Sequence, residues 1–148
     1  MMNILLLPID KPDANKLDEA YELGADAASA AGTRPIVVPK CFQYDGASIP
    51  SPAWQLIGTP FSPRLMVAAL FHDWIYHVHT VSKDEADDLF ERLLVASGIS
   101  KTRAGLMKSA VAVFGAAYWE NDAGDVAYMR RLKKRIVDEG RDPATYGL

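Results

Sequence analysis

The apolar positions of this chain change period near residue 62. Before it they come in short runs broken by proline and glycine, and after it they recur every three or four residues. Ser62 is a natural N-cap and Pro63 suits the first helical position. Leu65, Ala68, Ala69, His72, Ile75, Tyr76 and His79 then follow at helical spacing. Ser82 and Glu85 form a capping-box pair ahead of a second stripe, Ala86, Leu89, Phe90 and Leu93, with Gly98 as its stop. Ser100 caps a third helix with Leu106, Met107, Ala110, Val111, Phe114, Ala117 and Tyr118 inward, where Gly105 and Gly115 either weaken the helix or permit close helix contact. A fourth helix is predicted over residues 125–139, with Val126, Met129, Leu132 and Ile136 inward and Gly140 at its end.

The N-terminal part is less regular. Residues 3–7 suit a first strand, and residues 15–31, "NKLDEAYELGADAASAA", have the composition of a helix, although Gly24 interrupts them. A short β-branched strand at 36–38 leads into a loop whose prolines at 39, 50 and 52 preclude a continuous helix or central strand. The expectation is an α+β fold, with a small N-terminal β element over 1–61 and about four helices over 62–140.

Composition narrows the classes. At 148 residues and 49% hydrophobic, the chain suits one domain, 1–148, with its own core. A net charge of -3 does not advertise a general polyanion binder, and the sequence carries no specific nucleic-acid motif. The single cysteine, Cys41, cannot form an intramolecular disulfide, which favours a reducing compartment. The opening "MMNILLLPID" has neither a basic leader nor a small-residue cleavage site, and no apolar window approaches the roughly 18 residues of a membrane span. A soluble protein without a transmembrane segment is expected.

The chemistry concentrates in "AALFHDWIYH", where a histidine and an aspartate interrupt an apolar run. His72 and Tyr76 share one helical face, and Asp73 is rotated from them by about 100°. A turn near Val81 brings Phe90 level with His72 and places Asp87 roughly 4.5 Å of helix rise from that level. A carboxylate on one ring nitrogen orients the imidazole and leaves the other as a general base for water. Asp73, on the adjacent face, and Asp45, from "YDGASIP", are carboxylates suited to a hard cation such as calcium. The plainer alternative is a hydrogen-bonded core histidine, with Asp87 one of several solvated acids in "KDEADDLFE". Ser48 lacks the strand-turn-helix elbow of a nucleophile. Trp54, Trp74 and Trp119 either wall an apolar pocket for an acyl chain or fill the core. The helix "YMRRLKKRIVDEGR" presents Arg130, Arg131, Lys133, Lys134 and Arg135, either the solvated face of a helix packed on the core or a face for anionic lipid, phosphate or an acidic partner subunit.

Metal-dependent phosphohydrolases built on an H-D pair need further upstream histidines, and this chain has only His72, His77 and His79. "HDWIY" is similar to the core motif of secreted phospholipase A2, in which the histidine is the base and the adjacent aspartate binds calcium. The disulfides and glycine-rich calcium loop of those enzymes are missing.

Four blocks in order, "VPKCFQYDGASIP", "AALFHDWIYH", "EADDLFERLL" and "FGAAYW", resemble domain-of-unknown-function family 1353, found in bacteriophages and prophages. The resemblance covers residues 34–119. Its matching positions include Asp45 to Pro50, His72, Asp73, Tyr76, Asp87, Phe90, Gly115, Tyr118 and Trp119. Cys41 stands where the family usually has glycine, and Tyr44 where it usually has threonine. The resemblance implies a phage origin and a small α+β domain without an established activity. It points either to a hydrolase acting on host envelope lipid or to a noncatalytic virion component of the tail or its connector. In the second case, His72 and its neighbours form a buried lock. Synthesis in the bacterial cytoplasm and a place in the virion, beside other virion proteins, follow from that setting.

Overall fold

A computed structural model describes residues 4–8, 21–44, 63–120 and 123–148. The architecture is α+β. Among the described residues, five short strands, β1 (Leu6–Pro8), β2 (Tyr21–Leu23), β3 (Ala27–Ala31), β4 (Arg34–Val38) and β5 (Gln43–Tyr44), precede the helices. These are α1 (Pro63–Val78), α2 (Lys83–Ala96), α3 (Lys101–Phe114), the short α4 (Ala116–Glu120) and α5 (Ala123–Asp138), followed by a 3-10 turn at Pro143–Tyr146. Two antiparallel sheets form, one ordered β1-β2-β5 and the other the hairpin β3-β4.

The helix expected over 15–31 is corrected across its described half, because residues 21–31 contain β2 and β3. Alanine composition favours a helix, but here tertiary pairing overrides it. Ala27 and Ala31 are buried while Ala28 and Ala30 face out, a period of two, and Ala27 to Ala31 pair in register with Val38 to Arg34. Gly32, at φ 62°, opens the two-residue connection, a conformation that glycine adopts without steric penalty. The first strand is displaced to Leu6–Pro8, and the strand expected at 36–38 extends to Arg34–Val38.

The helical part follows the apolar pattern with local exceptions. Ser82 closes the expected capping box, its hydroxyl accepting from Glu85 N and its own N–H donating to the Glu85 carboxylate. α2 stops with Ser97 as its cap and Gly98 just beyond at φ 95°. Ser100 caps α3 by accepting from Arg103 N. Leu106 and Phe114, expected inside, are 58% and 46% exposed, because α3 buries the narrower stripe of Ala104, Met107, Ala110 and Val111. The helix ends at Gly115, so Ala117 belongs to the separate α4 and is also exposed. Val126 is 52% exposed for a similar reason, since α5 turns Leu132 and Ile136 inward.

α1 is the central element. Every residue from Val67 to Tyr76 is buried, so this helix has no solvent face along ten consecutive positions. α2 packs along it as an antiparallel hairpin and α3 packs on α2. The β3-β4 hairpin meets α2, where Arg92 donates to the Ala30 carbonyl, and Arg34 of β4 donates to the Thr80 carbonyl at the α1–α2 turn. Phe42, just before β5, sets its ring edge-on to Trp74 of α1, with centroids 5.0 Å apart. Trp74 is 1% exposed, a core residue on one side of α1 while His72 occupies another.

The α1–α2 hairpin depends on its capped turn. Ser82→Ala is expected to destabilise the fold by about 1 kcal/mol, since it removes one half of the capping box. Chemical denaturation of both proteins measures this, and an unchanged midpoint would mean that α2 is held by packing alone.

Candidate functional site

A buried helix can hold polar side chains only if its neighbours supply partners. α1 carries two adjacent ones, His72 and Asp73, each 1% exposed. For His72 the partner comes from α2. Its Nε2 lies 2.7 Å from Oδ1 of Asp87, itself 1% exposed. Tyr76, one turn after His72, donates its hydroxyl to the same oxygen at 2.9 Å. Lys83 donates to the other carboxylate oxygen at 2.7 Å and to the Ala112 carbonyl at 3.0 Å. One carboxylate thus accepts three donors, and Lys83 carries the connection on to α3.

Aromatic rings enclose the group. The Phe90 ring lies 5.0 Å from that of His72, so the two helices meet at the level their turn predicts. The Tyr76 ring lies 4.1 Å from His72 and meets the edge of Trp119, which stacks on His79 at 3.8 Å. Gly115, between α3 and α4, makes room for the tyrosine: a Cβ there would sit 2.8 Å from the Tyr76 hydroxyl oxygen and would also strike the Val111 carbonyl.

Burial sets the proton positions. Desolvation lowers the His72 pKa below its free value of 6.5, more than the hydrogen bond and charge of Asp87 raise it, and Lys83 lowers it further. Burial by itself would raise Asp87, but the hydrogen bonds from His72 and Lys83, with that of Tyr76, outweigh it and hold the carboxyl below its free value of 3.8. Tyr76 is raised by burial and by the adjacent carboxylate, so it stays protonated and donates. The ground state is a neutral imidazole with its proton on Nε2, facing a carboxylate. Nδ1 then carries the lone pair, and it is buried without a hydrogen-bond partner among the described residues.

The expected site residues therefore divide. His72, Asp87 and Tyr76 come together. Asp73 points to a different neighbourhood, where its Oδ1 is 3.8 Å from His77 Nδ1, and that nitrogen also hydrogen-bonds the Asp73 carbonyl at 2.7 Å. Asp45, Ser48 and Trp54 lie outside the described residues. Among the described residues no three metal-ligating side chains converge. Asp73 is the described carboxylate of the expected calcium pair, and its partner Asp45 lies outside those residues. Lys83 was not anticipated, although its position four residues before Asp87 on the same helix is the signal that would have found it.

The sequence model of the family described as a protein of unknown function, DUF1353, matches residues 21–111. The chain belongs to that family. The matched stretch contains β2 to β5, α1, α2 and most of α3, and with them His72, Tyr76, Lys83 and Asp87. Two uncharacterised proteins of Sinorhizobium fredii are similar: y4iH, 37% identical over 71 residues, and y4jT, 32% identical over 78 residues. The alignments take in 48% and 53% of this chain but 30% and 23% of those proteins. The chain thus spans less than a third of the length of the curated relatives it matches. No solved structure gives a significant match. Among the described residues, no helix is long and apolar enough to cross a membrane.

The two shifts act on stability with the same sign. An unfolded chain protonates His72 near 6.5 while the folded one resists, so its contribution is complete above 6.5 and is lost as the pH falls through that value towards the folded pKa. Asp87 adds stability present above 3.8 and lost as the pH falls through its lower folded value. The melting temperature is expected to fall on acidification from 6.5 downwards, and a constant value between 6.5 and 3.8 would contradict this electrostatic picture. Asp87→Ala, which leaves buried donors unpaired, is expected to cost about 3–5 kcal/mol. Tyr76→Phe, which removes one donor of three, should cost only about 1 kcal/mol. Denaturant unfolding ranks the two, and equal losses would show that the carboxylate is not the hub.

Proposed function

We propose that this domain is an esterase-type hydrolase in which His72 acts as general base through Nδ1. The observation that carries the reading is the polarity of the dyad: Asp87 occupies Nε2, and the buried Nδ1 lone pair has no partner among the described residues. In the proposed step Nδ1 takes a proton from water as the water oxygen bonds to the ester carbonyl carbon. The same proton then passes to the departing alkoxide as the carbon–oxygen bond breaks. Asp87 holds the ring and stabilises the transient imidazolium, and Tyr76 and Lys83 fix the carboxylate. The substrate class is a phospholipid ester of a bacterial envelope. A phage is the setting, in keeping with the family resemblance.

A second reading rests on a different observation. His72 is 1% exposed, and its network spans α1, α2 and α3, as suits a structural lock in a noncatalytic virion component. His72→Gln separates the two, because a glutamine amide can still donate to Asp87 but offers no base. Hydrolysis of para-nitrophenyl esters and of phosphatidylglycerol vesicles is the assay. The hydrolase reading expects wild-type turnover that falls by about 10²–10⁴-fold in His72→Gln, with folding retained. It also expects the wild-type rate to rise with pH to a plateau whose midpoint lies below 6.5. Wild-type protein without turnover on either substrate would sink it in favour of the lock.

A further inference from the structure

A cavity of about 160 Å³ lies between β5 and α5, away from the dyad, lined by Cys41, Gln43, Tyr128, Arg131, Leu132 and Arg135. Its wall is pinned, because the backbone N–H of Gln43 donates to the Tyr128 hydroxyl at 2.8 Å and so ties the strand to the helix. Arg131 and Arg135 are four residues apart on α5 and reach the same opening. Arg135 is already oriented: Nη1 lies 3.2 Å from Glu22 and Nε donates to Glu139 at 3.2 Å, leaving Nη2 without a partner among the described residues. Arg131 has no ion pair or hydrogen bond among those residues. Glu139 is shared with Arg141 at 2.7 Å and Asp26 lies 3.7 Å from the same guanidinium, so the neighbouring carboxylates are engaged by Arg135 and Arg141, and Arg131 is left out of these pairs. Burial keeps the Cys41 thiol protonated, more strongly than Arg135 pulls it down, and the nearby Glu139 and Glu22 carboxylates act in the same direction as burial, so the thiol itself adds no charge to the wall. Arg130 and Lys133, exposed on the same helix, also lack ion-pair partners among the described residues.

We propose that this cavity binds a phosphate group, gripped by Arg131 and the remaining nitrogen, Nη2, of Arg135. Guanidinium N–H groups match phosphate oxygens in geometry and charge. The site is separate from the His72 dyad and stands whether or not the hydrolase reading does. The ligand's phosphate is either free or carried on a lipid headgroup.

The full-length chain is titrated with inorganic phosphate by calorimetry and, separately, sedimented with phosphatidylglycerol or phosphatidylcholine vesicles. Arg131→Gln removes a cavity-lining guanidinium, and Arg130→Gln removes its exposed neighbour as a control. The site predicts binding that weakens about ten- to hundredfold in Arg131→Gln, the worth of one charge-assisted hydrogen-bonded contact, and stays unchanged in Arg130→Gln. That pattern with inorganic phosphate identifies a free phosphate ligand. The same pattern with phosphatidylglycerol vesicles alone identifies a lipid headgroup. Equal weakening in both variants would mean that the helix acts as a diffuse cation and would overturn the proposal, as would absence of binding to either probe.

Discussion

A helix without a solvent face cannot hydrate its polar side chains, and the arrangement of this fold follows from that constraint. α1 is buried along ten consecutive residues yet carries a histidine and an aspartate side by side. An uncompensated carboxylate in such a position would cost several kcal/mol. The Asp87 carboxylate from α2 is tolerated because three donors converge on it, two from α1 and one from its own helix. The same contact fixes the register of the α1–α2 hairpin. A displacement of one residue would turn either the histidine or the carboxylate away, leaving His72 buried without its partner and Asp87 with only Lys83 of its own helix.

The charges of this group also balance. A neutral imidazole, a carboxylate and an ammonium leave a dipole and no net charge in the interior, which low-dielectric surroundings tolerate more readily than an isolated ion. Lys83 is what closes the sum, and its second bond, to the Ala112 carbonyl, places it near the C-terminal end of α3, where the helix dipole favours a cation. One side chain thus completes the electrostatics of one helix pair while docking a third helix on it.

Much of this was legible in the residues. The helical period from residue 63 onward, the capping box at Ser82 and the meeting of His72 with Asp87 all rest on local rules whose geometry is stiff. What stayed illegible depended on contacts distant in the chain. "ADAASAA" has the composition of a helix and becomes a strand only because residues 34–38 pair with it across a glycine turn. Leu106, Phe114 and Val126 continue apolar patterns that the packing of α3 and α5 leaves at the surface, since a pattern gives the period of a face but not its width. The place of Asp73 on another side of the helix belongs with what was legible, since the turn of about 100° per residue separates it from His72, and only its company with His77 was not read.

Gly115 bears on how such a site changes over generations. Its place between the Tyr76 hydroxyl and the Val111 carbonyl is shaped for a residue with no side chain at all. Any coding change at that position adds at least one carbon, so no step of drift there is small. The enclosing surface of the cluster is held there by what is missing, so the packing of Tyr76 and the end of α3 answer together to a single position.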